Sequence, residues 1–118
     1  MIPGLHLTRI GREAFLLEPS RSLNIRDEAR LVEHIAGKLQ QAKASCLYYD
    51  LAELALIDPV YYAWLSALAR TMAAINVRMI CIHMQPTAAF SLSGFIAGNP
   101  PFETALDIPD VHFTGSPV

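Results

Sequence analysis

Residues 47–95, LYYDLAELALIDPVYYAWLSALARTMAAINVRMICIHMQPTAAFSLSGF, decide how this chain folds. The run from Cys46 to Leu51, CLYYDL, is short and rich in aromatic and aliphatic side chains. It lies between Lys43-Ala44-Ser45 and a loop, and it predicts a strand buried on at least one face. Ala52 to Ile57 then leads to Asp58-Pro59, where a helix is expected to start sharply. Asp58 is a strong N-cap, and Pro59 at the first helical position has a preset φ and no amide hydrogen to leave unpaired. Trp64, Leu65, Leu68, Met72 and Ile75 recur at helical spacing, and the helix should end near Asn76. Val77 to Met84, VRMICIHM, is the most strand-like run of the chain and is expected to be central. Gln85-Pro86 again places proline just inside a helix start. Ala88, Ala89, Leu92 and Phe95 would form the buried face of this short third helix, ended by Gly94, Gly98 and Asn99-Pro100-Pro101.

Upstream, Leu5 and Leu7 alternate with His6 and Thr8 at the period of a half-buried strand. A hairpin turn at Gly11 leads to a second apolar stretch, AFLLE. After a loop at Pro19-Ser20-Arg21-Ser22, Asn24 is a candidate N-cap, with Asp27 and Glu28 in the first turn where the helix dipole favours acids. Leu31, Ile35, Leu39 and Ala42 form one apolar stripe, while Arg30, Glu33, Lys38 and Gln41 occupy other faces. Gly37 costs such a helix about 1 kcal/mol against alanine, which a close approach to the sheet would explain. Downstream, a last short strand is expected from Thr104 to Ile108, before a polar tail with Pro109, Gly115 and Pro117. The order β-β-α-β-α-β-α-β predicts an α/β fold with a mixed central sheet, part of it parallel.

At 118 residues, 1–118 is expected to be a single domain, and 53% hydrophobic residues supply a well-buried core. No stretch reaches the ~20 apolar residues that span a bilayer, so no membrane insertion is expected. The start MIPGLHLTRIGR lacks the basic residues, long apolar run and cleavage site of a signal peptide. Cys46 and Cys81 each sit in an apolar run, as small core residues of a reduced, cytoplasmic protein do. A disulfide stays open, because the two fall on strands that could be neighbours. The net charge of −2, with Arg9, Arg12, Arg21, Arg26 and Arg30 interleaved with Glu13, Glu18, Asp27 and Glu28, argues against nucleic acid.

Convergent reactive groups are not evident. Acids occur singly, and Asp50 and Asp58 read as a loop-structuring residue and a helix cap. His34 lacks the second histidine four residues on that a zinc helix carries. His6 is expected at solvent or a sheet edge, His83 is expected to pack at the end of its strand, and His112 lies in the tail. The cysteines show no Cys-x-x-Cys spacing, and there is no glycine-rich phosphate loop. No enzyme activity, cofactor or metal is expected.

In order and spacing, several features resemble STAS domains. They are the strand ending in Asp50-Leu51, the loop into Ile57-Asp58, the amphipathic helix after it, and the strand running into Met84-Gln85-Pro86 before a short helix. The likeness spans roughly residues 5–110 and is sharpest over 47–95, toward the bacterial anti-sigma factor antagonists and stressosome scaffold proteins. It implies a STAS fold with its C-terminal helix shortened or absent, which would leave part of the sheet uncovered and open to self-association. It also implies a regulatory domain that binds an anti-sigma factor or a serine/threonine switch kinase, other STAS proteins, or itself as a homo-oligomer. The partner-binding residues would be Asp58, Pro59, Tyr61 and Tyr62. Adjacent Tyr61 and Tyr62 should not both point inward, so at least one is expected to be exposed as an interface anchor, replaceable by aspartate without unfolding. In that family the residue after the Ile-Asp pair is usually a serine or threonine that a partner kinase phosphorylates; here it is Pro59, which has no hydroxyl. A second modified site of the stressosome relatives falls at Ser91, with Thr87 and Ser93 as neighbours. The alternative role is a structural STAS subunit of a transporter ATPase complex, without phosphorylation.

Overall fold

Gly11, in the left-handed conformation at φ 75°, turns the chain between β1 (Leu5–Ile10) and β2 (Ala14–Pro19). The computed structural model, which describes residues 2–109, pairs these two strands antiparallel and adds β3 (Cys46–Asp50), β4 (Arg78–Ile82) and β5 (Glu103–Ala105) in parallel. The sheet order is β1-β2-β3-β4-β5. Each parallel connection carries a helix: α1 (Glu28–Gln41), α2 (Pro59–Ala74) and α3 (Pro86–Ser93). Strands added in sequence order in one direction, each through a crossover of the same hand, put all the connecting helices on one face.

That one-sided winding divides the strand residues between two cores. Leu17, Leu47, Tyr49, Met79 and Cys81 face the helices and meet Leu31, Ile35 and Leu39 of α1 and Trp64, Leu65, Leu68 and Met72 of α2. Their neighbours Ala14, Cys46, Tyr48, Ile80 and Ile82 form a second cluster on the opposite face, together with Ile108. All six are at most 7% exposed, so the middle of this face is buried, while Arg78, Glu103 and Ala105, in register on the same face, are exposed. The expectation of a shortened or absent C-terminal helix, with His112, Gly115 and Pro117, lies outside the described residues.

Most element starts fall where the capping residues put them. Asn24 accepts the Arg26 amide and opens a 3₁₀ turn, Ile25–Asp27, that runs into α1. Asp58 caps α2 with Pro59 in the first turn, and α3 begins at Pro86. Four readings need correction. On α3, Ala88 and Leu92 are buried but Ala89 is exposed, because only one i,i+4 row of so short a helix reaches the core, and Phe95, 40% exposed, lies beyond the helix end at Ser93. The last strand ends at Ala105 rather than Ile108: the Asp107 carboxylate takes the Ile108 amide at 2.7 Å and turns the chain. Cys46 and Cys81 do lie on adjacent strands, but Cys46 is in register with Arg78 and Cys81 with Tyr49. Their side chains therefore leave opposite faces, and both are free buried thiols.

Gly37 is the fourth. A Cβ built there meets nothing within 4 Å, and the residue is exposed, so no close approach to the sheet requires glycine. Gly37→Ala should therefore raise stability by about 1 kcal/mol in denaturant unfolding, through helix propensity and reduced freedom of the unfolded chain. A loss of stability would mean that the position carries a packing constraint.

Candidate functional site

The parallel strands β2 to β5 all end at one edge of the sheet, where α2 and α3 begin and where ligand and partner sites of open α/β sheets concentrate. Residues 51–58 cross this edge as a loop, and its shape is fixed bond by bond. Asp50 Oδ1 accepts the Ala52 amide at 2.8 Å, and the Leu51 amide donates to the Ile82 carbonyl at 2.9 Å. From the start of α3, Gln85 Nε2 donates to the Ala52 carbonyl at 2.7 Å, and the Thr87 hydroxyl donates to the Ala55 carbonyl. Ser91 Oγ accepts the Ile57 amide at 3.1 Å and shares its own hydrogen between the carbonyls of Ala88, at 2.8 Å, and Ile57, at 3.2 Å. Three polar side chains of a short helix thus hold the loop's backbone. Sequence reading gives Ser91 as a candidate modification site with Thr87 beside it, and Gln85 only as a helix start, and misses the hold of all three on the loop. The available signal was the i,i+4 spacing of Thr87 and Ser91 on a helix that carries no charges.

At the end of the loop, Asp58 Oδ1 accepts the Tyr61 amide at 2.7 Å, and the Asp58 carbonyl accepts the Tyr62 amide at 2.9 Å. Asp58 and Pro59 are exposed. Tyr61 and Tyr62, by contrast, are both half-buried, which overturns the expectation that one stands free. The first turn of α2 lies over the sheet edge with core on two sides. Tyr61 leans toward β3, its hydroxyl 2.6 Å from that of Tyr49, which also accepts the indole N–H of Trp64 at 2.9 Å. Tyr62 leans the other way, edge-on to the rings of Phe95 and Phe102 at 5.6 and 6.1 Å. Burial pushes the Tyr49 phenol far above its usual range and raises that of Tyr61. Aspartate at Tyr61 would cut into this network, so that replacement should destabilise the fold rather than leave it intact. The exposed apolar side chains flanking Asp58-Pro59 are instead Leu56 and Val60, each 65% exposed; on α3, next in sequence to Ser91, Phe90 is 82% exposed.

His83 does not pack as expected. Its backbone turns left-handed at φ 59° directly after β4, and the exposed ring lies between two carboxylates. Nδ1 is 3.1 Å from Asp50 Oδ1, and Nε2 is 2.9 Å from Asp107 Oδ1. Beside Asp50 the edge carries a shallow groove lined by His6, Glu18 and Glu53 among others. Among the described residues no three His, Cys, Asp or Glu side chains are arranged to hold a metal ion. Burial raises both thiols above their usual range, Cys81 the more strongly, so neither is poised as a thiolate. No helix among the described residues is long and apolar enough to cross a membrane.

The sequence matches no family model and no curated protein. Solved structures do match it. RsbS from Moorella thermoacetica, as a serine-to-glutamate variant, has TM-score 0.70 at 13% identity, over 88% of this chain and 87% of its own. The protein TM1081, solved by NMR, has TM-score 0.69 at 12% identity, over 94% and 85%. The anti-sigma factor antagonist SpoIIAA in its unphosphorylated form has TM-score 0.57 at 14% identity, over 90% of each chain. The chain has the STAS fold, and at these identities the fold is what is held in common.

Removal of the Ser91 hydroxyl should loosen the loop more than the domain. Ser91→Ala is expected to cost about 1 kcal/mol in denaturant unfolding and to speed hydrogen exchange at the Ile57 amide. Unchanged exchange at Ile57 would mean that the loop is held without it.

Proposed function

We propose that the chain is a regulatory, protein-binding STAS domain that docks its partner on the loop of residues 52–58 and the start of α2. The observation that carries this reading is the exposed apolar pair Leu56 and Val60 flanking Asp58-Pro59, on a backbone already held by Gln85, Thr87 and Ser91, with Phe90 exposed on the same short helix as these three. A pre-ordered surface loses little conformational entropy on binding, and its exposed aliphatic and aromatic groups are what an interface centre buries. Asp58 and Pro59 set the helix start, while Tyr61 and Tyr62 support the surface from beneath. The partner in this reading is an anti-sigma factor or a serine/threonine switch kinase, as the fold shared with SpoIIAA and RsbS favours. Assembly with other STAS proteins would use the same surface.

Pro59 bears no hydroxyl, so a kinase docked here has nothing to modify at the helix start. Ser91 is the alternative switch. A phosphate there brings about −2 of charge and removes the hydrogen that the hydroxyl shares between the Ala88 and Ile57 carbonyls, so modification would disturb the loop itself.

The test is a pull-down from the source cell's lysate with and without ATP, with wild type and a Leu56→Asp/Val60→Asp double variant as baits, followed by intact-mass analysis. Wild type should retain a serine kinase or anti-sigma factor, and the double variant should lose roughly tenfold in affinity, about 1.4 kcal/mol. A phosphate mass gain that disappears in Ser91→Ala would put the switch at Ser91. Equal capture by the two baits would place docking elsewhere. Capture of transporter ATPase subunits would replace the regulatory reading with that of a structural subunit.

A further inference from the structure

A neutral imidazole carries one N–H, and an ionised carboxylate only accepts hydrogen bonds. His83 nevertheless has a carboxylate oxygen at hydrogen-bond distance from each ring nitrogen, Asp50 Oδ1 at 3.1 Å and Asp107 Oδ1 at 2.9 Å. Both bonds form together only when both nitrogens carry hydrogen, that is, when the ring is the imidazolium. We infer that His83 is a proton-dependent latch, closed as a cation between Asp50 and Asp107, and that loss of its proton frees the turn after β5 from the ends of β3 and β4.

The two arms are unequal, and their surroundings decide which one opens. Asp50 lies at the end of β3 with its side chain 18% exposed, and the same oxygen anchors the Ala52 amide. Asp107 follows the edge strand β5, its side chain is 72% exposed, and it holds the Ile108 amide. A single remaining hydrogen therefore stays on Nδ1, toward the more enclosed carboxylate. Nε2 then presents a lone pair to an acceptor oxygen, and Asp107 turns away to water. The charges that act on the ring are those of Asp50 and Asp107, from the two elements that flank it. Partial burial lowers the imidazole's affinity for a proton, but the bonds and charges of the two carboxylates outweigh it, and the pKa is raised above 6.5. Asp107 is held below its usual range by the Ile108 amide and by His83. Histidine raised and aspartate lowered give one window. The Asp107 arm is closed from below the ordinary carboxylate range and opens as pH rises through the raised pKa of His83.

The experiment is an NMR titration of the imidazole nitrogens in the whole chain, with His83→Gln used to assign the resonance among the four histidines. His83 should titrate above 6.5, with the Ile108 amide shift following the same midpoint, and Asp107→Asn should lower that midpoint by roughly half a unit or more. A wild-type midpoint at or below 6.5, or one that Asp107→Asn leaves in place, would overturn the latch. The wild-type titration decides alone if a variant does not fold.

Discussion

The hydroxyl of Tyr49 is the point on which the exposed chemistry of this domain depends. It is buried in the middle of the sheet, on β3, and it satisfies the one donor of the Trp64 indole while bonding the hydroxyl of Tyr61. An indole N–H buried without a partner costs about 1–3 kcal/mol, so α2 is not free to rotate about its axis. With Tyr61 and Trp64 both turned to β3, Val60 is left facing water and Tyr62 faces Phe95 and Phe102. A hydrogen bond inside the core thus selects which side chains the helix start offers outside it.

The same economy governs the loop before α2. All the helices lie on one face because the sheet grows in one direction, so the starts of α2 and α3 are brought side by side at the carboxyl edge. That juxtaposition lets Gln85, Thr87 and Ser91 reach the backbone at Ala52, Ala55 and Ile57. Six residues that would otherwise be an exposed apolar linker become a fixed ledge. The short helix α3 contributes only Ala88 and Leu92 to the core, so its polar side chains carry much of what it does.

Local signals were legible wherever a residue acts on its own neighbourhood. Asn24, Asp58 and the two prolines fix helix starts through bonds or dihedrals within three residues, and Leu31, Ile35 and Leu39 show their stripe at helical period. The family likeness rested on the order of such signals and led to the right fold. What escaped was whatever joins distant segments. Thr87 meets Ala55 and Ser91 meets Ile57 across 32 and 34 residues, with no pattern at either end that names the other. The reasoning on Tyr61 and Tyr62 failed for a different cause: it assumed core on one side of the helix start, whereas the structure has core on two. His83 was misread from its neighbours, since an apolar strand predicts packing unless the backbone turns left-handed, as it does here.

One carboxylate joins these two levels of organisation. Asp50 Oδ1 accepts both the Ala52 amide, which begins the ledge, and His83 Nδ1, which begins the link to Asp107. An oxygen that serves two donors is positioned by both, so the imidazole helps set the direction in which Asp50 holds the loop. The loop's other anchors come from α3, whose first residues follow His83 after only Met84 and Gln85. The left-handed turn at His83 therefore does two things at once. It sends the chain off β4 toward α3 at the angle that lets Gln85 reach Ala52, and it points the ring back across the strand ends at Asp50. A residue that could not take up that backbone conformation would disturb both the ring's reach and the helix's entry, so the turn at His83 serves the ledge and the link to Asp107 alike.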